Sequence, residues 1–273
     1  MNNENAAHGA PGHVLRKSLL CVITMLLTTP SLHAEVRTTA VEYKHGDTVL
    51  EGLLAWDDAL PGKRPGVLVV HEWWGRNDYI NSRAEKLAAL GYVAFALDMY
   101  GKGVVAKDPK EAGALAGKIR GDGALMRERA TAGLEVLRRD ERVDPTKIAA
   151  IGYCFGGTVA LELARSGAEL AGVVSFHGGL ATKAPAEKGK VKAKVLVLHG
   201  ADDPHVPVAD VTAFEEEMRA AGVDWQVVSY GGAVHAFTNP AAGSDPSKGA
   251  AYNEAADRRS WEAMQAFFRE VLK

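Results

Sequence analysis

Ile148-Ala149-Ala150-Ile151-Gly152-Tyr153-Cys154-Phe155-Gly156-Gly157 decides the fold. The apolar run through Ile151 reads as a strand covered on both faces, and a helix over Phe155–Arg165 follows at once. Between them, Gly152-x-Cys154-x-Gly156-Gly157 has the spacing of a sharp strand–turn–helix that thrusts one nucleophilic side chain outward, here a thiol. Glycine at 152 and 156 leaves room for the crowded backbone. The new helix aims its first N–H groups and the positive end of its dipole at the sulfur. A phosphate-cradling loop would need G-x-x-x-x-G-K-[ST], and no Lys follows Gly157. An inert buried cysteine in a tight turn is the plainer alternative; the motif's position at a strand-to-helix boundary argues against it.

Outward from this turn, strand-like and helix-like segments alternate. Residues 36–43 and 49–55 read as an opening strand pair joined through His45-Gly46-Asp47. Further strands are expected at 66–71, 92–97, 171–176, 195–198 and 225–230, and helices at 83–89, 124–139, 208–221 and 254–271. Asp144-Pro145-Thr146-Lys147 reads as the turn into the strand of the quoted stretch. Between Gly101 and Gly123, six glycines and few large apolar side chains predict a mobile excursion with one short helix, opened by Asp108-Pro109-Lys110-Glu111. The alternation predicts an α/β fold with a mostly parallel sheet, helices on both faces, and a site at the carboxyl ends of the strands.

Composition bounds the function. The 273 residues are 47% hydrophobic and 24% charged, which excludes a disordered chain. Lys plus Arg is 32 and Asp plus Glu is 34, a net charge of -2, so no basic field is present to hold a nucleic acid. Near the start, Arg16 and Lys17 precede an apolar run over residues 19–27, followed by Thr28-Thr29-Pro30 and Ser31-Leu32-His33-Ala34. This pattern predicts a signal peptide over 1–34, a mature domain over 35–273, and a periplasmic or secreted location. The run falls short of the roughly 20 residues of a stable membrane anchor. Removal of Cys21 with that peptide leaves Cys154 as the single thiol, so no intramolecular disulfide can form.

A nucleophile in such a turn predicts an acid and then a histidine after later strands. His199-Gly200-Ala201-Asp202-Asp203-Pro204 follows one strand and Gly231-Gly232-Ala233-Val234-His235 the next. Asp203, just before the turn-forming Pro204, is the expected partner of His235, with Asp202 as the alternative. His235 would exchange protons with Cys154 and the leaving group. His71-Glu72-Trp73-Trp74-Gly75 ends the third strand, where a second oxyanion donor belongs; the N–H groups of Trp73 and Phe155 are the expected oxyanion hole. Glu72, pointing into the pocket, would disfavour a thiolate by like-charge repulsion and could accept its proton; a structural salt bridge to an Arg is the plainer reading. Trp74 with Trp73 would line an apolar pocket or simply pack in the core. His45, His71, His177 and His199 read as structural. His199, Asp202 and His205 lack metal-site spacing, and no metal or cofactor is expected.

With these residues placed, the chain resembles the dienelactone hydrolase family of α/β-hydrolases (carboxymethylenebutenolidase-like). The resemblance lies in His71-Glu72-Trp73-Trp74-Gly75, Asp98-Met99-Tyr100-Gly101, Gly152-Tyr153-Cys154-Phe155-Gly156-Gly157, Gly200-Ala201-Asp202-Asp203 and His235-Ala236-Phe237. It implies an α/β-hydrolase fold and a Cys-His-Asp triad on Cys154, His235 and Asp203. It also implies a glutamate, at Glu72, that keeps the cysteine uncharged until substrate binds. Two arginines that hold a substrate carboxylate in dienelactone-opening members are implied as well. One of those positions is Asn239 here, a substrate-binding candidate, and Lys102, Lys107, Lys110 and Arg120 offer no clear match for the other.

The expected function is hydrolysis of a small-molecule ester or lactone through a thioester, by a monomer or weak homo-oligomer. A peptidase or amidase of the same fold, and an exported binding protein on this scaffold without catalysis, are the alternatives. A thiol-redox role lacks a C-x-x-C or a resolving cysteine.

Overall fold

The computed structural model describes residues 35–273. The signal peptide expected over 1–34 lies outside the described residues. The elements run β1 (Val36–His45), β2 (Thr48–Asp57), β3 (Arg64–Val70), α1 (Asp78–Ala89), β4 (Val93–Ala96), α2 (Pro109–Gly121), α3 (Gly123–Arg139) and β5 (Val143–Tyr153). They continue with α4 (Phe155–Arg165), β6 (Gly172–Phe176), β7 (Lys194–Gly200), α5 (Val208–Ala221), β8 (Trp225–Tyr230) and α6 (Glu254–Val271).

The eight strands form one sheet in the order β1-β2-β4-β3-β5-β6-β7-β8. β1–β2 and β2–β4 pair antiparallel; every pairing from β4 through β3 to β8 is parallel. This is the mostly parallel sheet of an α/β-hydrolase. Strand residues alternate between two cores. Leu68, Val70, Ala150, Val173, Val195 and Val197 face one cluster, packed with side chains of α2 to α5. Val67, Val69, Ile151, Val174, Leu196 and Leu198 face the other, packed with α1 and α6. A strand covered on both faces has no polar side to show, which is why these segments read as unbroken apolar runs.

Chain order reverses across β3, which has β4 on one side and β5 on the other. The carboxyl ends of β3 and β5 therefore lie side by side, Val70 opposite Gly152. A switch point of this kind opens a crevice beyond the strand ends, and the site is built there.

Three expectations change. The stretch from Gly101 to Gly123 holds a helix of 13 residues, α2, capped by Asp108 and buried through Ala112, Ala116 and Ile119. Helix α1 begins at Asp78, five residues before the expected start, with the Asn77 side chain accepting from the Ile80 N–H. The turn at Asp144-Pro145-Thr146-Lys147 is an irregularity inside β5: Pro65 pairs with Asp144 and Gly66 with Ile148.

Candidate active site

Cys154 sits at the N-cap of α4 with φ 54, a left-handed conformation rare outside glycine. Close approach explains the glycines around it. A Cβ on Gly152 would lie 1.9 Å from the Gly156 carbonyl oxygen, and one on Gly156 would lie 2.3 Å from that of Val70. Only bare backbone lets β5 turn into α4 so tightly against β3. The Cys154 carbonyl accepts from Gly157 and Thr158, so α4 begins directly behind the sulfur.

The loops after β7 and β8 bring the other expected residues to the thiol. His235 Nε2 lies 3.1 Å from Cys154 Sγ, and His235 Nδ1 lies 2.8 Å from Asp203 Oδ2. The second oxygen of Asp203 accepts from the His205 N–H at 2.8 Å, which fixes the carboxylate. Asp202 is directed elsewhere, accepting from the Gly232 N–H, and this separates the two adjacent acids. Burial opposes a charge on His235, but the neighbouring Cys154 sulfur and the Asp203 carboxylate outweigh it and push its pKa up to about 10.

The loop after β3 closes the other side. His71 is wholly buried; its Nε2 accepts from the Met99 N–H, so Nδ1 carries the proton and donates to the Glu72 carbonyl at 2.5 Å. The Gly75 N–H donates to the same carbonyl, and the Tyr100 hydroxyl donates to the Trp73 carbonyl. Because a trans peptide sets N–H opposite C=O, the two bonds to the Glu72 carbonyl fix the direction of the Trp73 N–H. Among the described residues, neither the Trp73 nor the Phe155 N–H has a protein acceptor. Two donors without a protein acceptor among the described residues, one on the residue after Cys154 and one on the loop after β3, suit an oxyanion.

Glu72 is buried, 3% exposed, and takes part in no salt bridge among the described residues. Its Oε2 accepts from Asn239 Nδ2 at 2.6 Å, while Asn239 Oδ1 accepts from the Ala241 N–H. Asn239 lines the cavity, and one of its amide N–H groups is engaged in holding Glu72. Burial raises the Glu72 carboxyl to about 7, with the Asn239 hydrogen bond opposing the rise. No hydrogen bond joins Glu72 to Cys154 among the described residues; the sulfur is partnered by His235 instead.

A cavity of about 1170 Å³ opens over these groups. Trp73 and Trp74, edge-to-face at 5.1 Å between ring centroids, form one wall. Much of the remainder is glycine and alanine, including Gly121, Ala124, Gly179, Ala241 and Ala242. Arg120 also lines it and lies over the Phe155 ring, whereas Lys102 is turned away to Glu42 and Glu51. No group of three His, Cys, Asp or Glu arranged to hold a metal occurs among the described residues.

Sequence reasoning took His177 as structural and singled out neither Thr238 nor Tyr100 for the site. His177 reaches the Cys154 backbone and Thr238 reaches His177; both follow strand ends, where the parallel-sheet rule directs attention.

Known proteins resemble this chain in sequence and fold. The model of the Dienelactone hydrolase family matches residues 50–272. A protein of Aquifex aeolicus (strain VF5) named "Putative carboxymethylenebutenolidase" is 30% identical over 213 residues, 77% of this chain and 89% of that protein. Among solved structures, a dienelactone hydrolase-like promiscuous phosphotriesterase from metagenomic libraries is 44% identical with a TM-score of 0.84, covering 87% of this chain and 99% of that one. Dienelactone hydrolase from Anabaena variabilis ATCC 29413 shares the fold at 22% identity, with a TM-score of 0.64 over 87% of this chain and 99% of its own.

Proposed function

The chain belongs to the dienelactone hydrolase family and is a hydrolase of that family, and from that premise we propose that it cleaves esters or lactones by acyl transfer through Cys154, His235 and Asp203. The observation that carries this reading is the imidazole of His235, 3.1 Å from the Cys154 sulfur on one side and 2.8 Å from Asp203 on the other. The ionised sulfur attacks the carbonyl carbon, and the oxyanion is held by the N–H groups of Trp73 and Phe155. The C–O bond then breaks and the departing alkoxide takes a proton from His235 Nε2. Water attacks the thioester, returns a proton to His235, and the C–S bond breaks to release the acid. Asp203 holds the ring in the orientation this exchange requires. Alkoxides leave more readily than amines, which favours esters over the amide bonds of a peptidase.

The test is hydrolysis of p-nitrophenyl esters by residues 35–273. Activity should vanish in Cys154→Ala, and intact-mass analysis after mixing with ester should show a transient acyl adduct on Cys154 alone. Full activity in Cys154→Ala sinks the proposal. A fully inactive wild-type protein that binds esters without an adduct would favour the non-catalytic binding reading. The same proposal places the mature chain in the periplasm or outside the cell, after loss of residues 1–34. N-terminal sequencing of protein from fractionated cells tests this, and residue 1 retained on cytoplasmic material counts against it.

A second reaction at the same sulfur is hydrolysis of aryl phosphotriesters, favoured by the 44% identity to the promiscuous phosphotriesterase and by the wide cavity. Attack of sulfur on phosphorus would expel an aryloxide, and water would then cleave the S–P bond. Release of aryloxide from a dialkyl aryl phosphate, lost together with esterase activity in Cys154→Ala, is the expected result.

A further inference from the structure

Among the described residues, three non-glycine residues have positive φ: Cys154 at 54, His177 at 39 and Ala236 at 55. All three ring the candidate site, and such strain persists only where surrounding contacts enforce it. For Cys154 the enforcement is visible. Its N–H points between the Phe176 carbonyl at 3.0 Å and His177 Nδ1 at 3.1 Å. A backbone N–H can only donate, so Nδ1 must carry a lone pair and the proton of His177 must sit on Nε2. That Nε2 lies 2.7 Å from Thr238 Oγ1, which therefore accepts.

Both partners are sealed from solvent, His177 at 1% exposure and Thr238 at 0%. Thr238 is itself held twice more: its hydroxyl is 2.7 Å from the Tyr79 hydroxyl, and its carbonyl accepts from the Arg83 guanidinium at 2.6 Å. Thr238 lies three residues after His235, on the same loop. A single neutral ring thus joins the turn that presents the sulfur to the loop that presents the imidazole. Burial and the nearby His235 both disfavour charge on His177, keeping it neutral. Its one proton points away from the sulfur, so it does not compete with His235, whose ring centroid is 5.4 Å away.

We propose that His177 is a positioning residue: accepting from the Cys154 N–H and donating to Thr238, it sets the distance and angle between Cys154 and His235. It touches neither substrate nor sulfur. Its effect passes through the Cys154 N–H, while the carbonyl side of the same residue is held by Gly157 and Thr158. This inference rests on the proposed role of Cys154 as nucleophile.

The test is steady-state hydrolysis of a p-nitrophenyl ester by four variants, with circular dichroism and melting temperature recorded for each. His177→Phe keeps the ring's bulk but removes both hydrogen bonds, and kcat should fall about 10- to 100-fold with KM changed less than about threefold, the signature of misplaced reacting groups. His177→Asn, whose amide oxygen can accept from the Cys154 N–H, should recover part of the loss. Thr238→Val should lower kcat and Thr238→Ser should restore it, a pair that decides the matter even if His177→Phe does not fold. The inference is overturned if folded His177→Phe retains kcat within twofold, or if Thr238→Val and Thr238→Ser behave alike. Cys154→Ala, run alongside, separates the two failures. An active Cys154→Ala defeats the proposed function, whereas an inactive Cys154→Ala beside a fully active His177→Phe defeats this inference alone.

Discussion

Asn239 and Glu72, 167 residues apart in sequence, are joined by a 2.6 Å hydrogen bond in which the amide donates to the carboxyl group. The amide cannot flip without losing the Ala241 N–H that its oxygen accepts, so it always offers Glu72 a donor. The buried carboxyl, raised from 4.5 to about 7, changes its protonation near neutrality, inside the cavity that holds Cys154.

Glu72→Gln should therefore change how stability depends on pH. Between pH 4.5 and about 7 the folded protein keeps a proton that the unfolded chain has released, so stability falls as pH rises through that window and the full penalty remains above it. The variant removes a penalty on the order of 3 kcal/mol at pH 8 and none at pH 4. Thermal melts of both proteins across pH check this; a difference independent of pH would refute it.

Asn239→Leu removes the donor that opposes the rise, so the Glu72 carboxyl should titrate at higher pH than in the wild-type protein. Difference infrared titration of the carboxyl band, with Glu72→Gln as the blank, reads the shift directly. A downward shift would contradict the assignment.

Asp203→Asn should lower kcat about 10³- to 10⁴-fold while leaving the fold intact, because an amide donor facing Nδ1 favours the wrong tautomer of His235. Asp202→Asn, whose carboxylate faces Gly232, should stay within about twofold of wild type, since surface changes away from the reacting groups are mild. Equal losses in the two variants would reverse the choice between the acids.

Gly156→Ala should destabilise the protein by about 3 kcal/mol or more, since its Cβ would meet two carbonyl oxygens of β3 and the loop after it, at 2.3 and 2.6 Å. Chemical denaturation measures it. A melt within experimental error of wild type would mean the turn has more slack than its contacts show.

Ala124→Trp, on the cavity wall formed by α3, should raise KM for bulky aryl esters about tenfold and leave short acetyl esters nearly unchanged. Comparison of kcat/KM across acyl and alcohol size gives the answer.

The sequence was most legible where one local signal stood alone. Phe155–Arg165, Val208–Ala221, Trp225–Tyr230 and Glu254–Val271 fall where periodicity and breakers put them. Helix α2 was under-read because its buried stripe is mostly alanine: Ala112, Ala116 and Ile119 have helical spacing but little hydropathic contrast, amid glycines that suggest a loop. Helix α1 was cut short because its first turn, Asp78 to Ser82, is mostly polar and depends on the Asn77 cap. At the site, Cys154, Asp203 and His235 were found from their places after strands, a property of chain order. The bonds from Asn239 to Glu72, and from His177 to Cys154 and Thr238, join residues 167, 23 and 61 positions apart. No local pattern encodes pairings at such distances; they follow only once the sheet has set its strand ends side by side.

Among the described residues, β8 closes the sheet with β7 as its one neighbour, whereas β5 is flanked on both sides. The imidazole therefore follows an edge strand of the sheet and the sulfur a central one. Fraying at that edge would withdraw His235 from Cys154 while the rest of the protein holds together. Gentle warming or low denaturant should accordingly silence the enzyme before its helical signal moves, and cooling should bring it back.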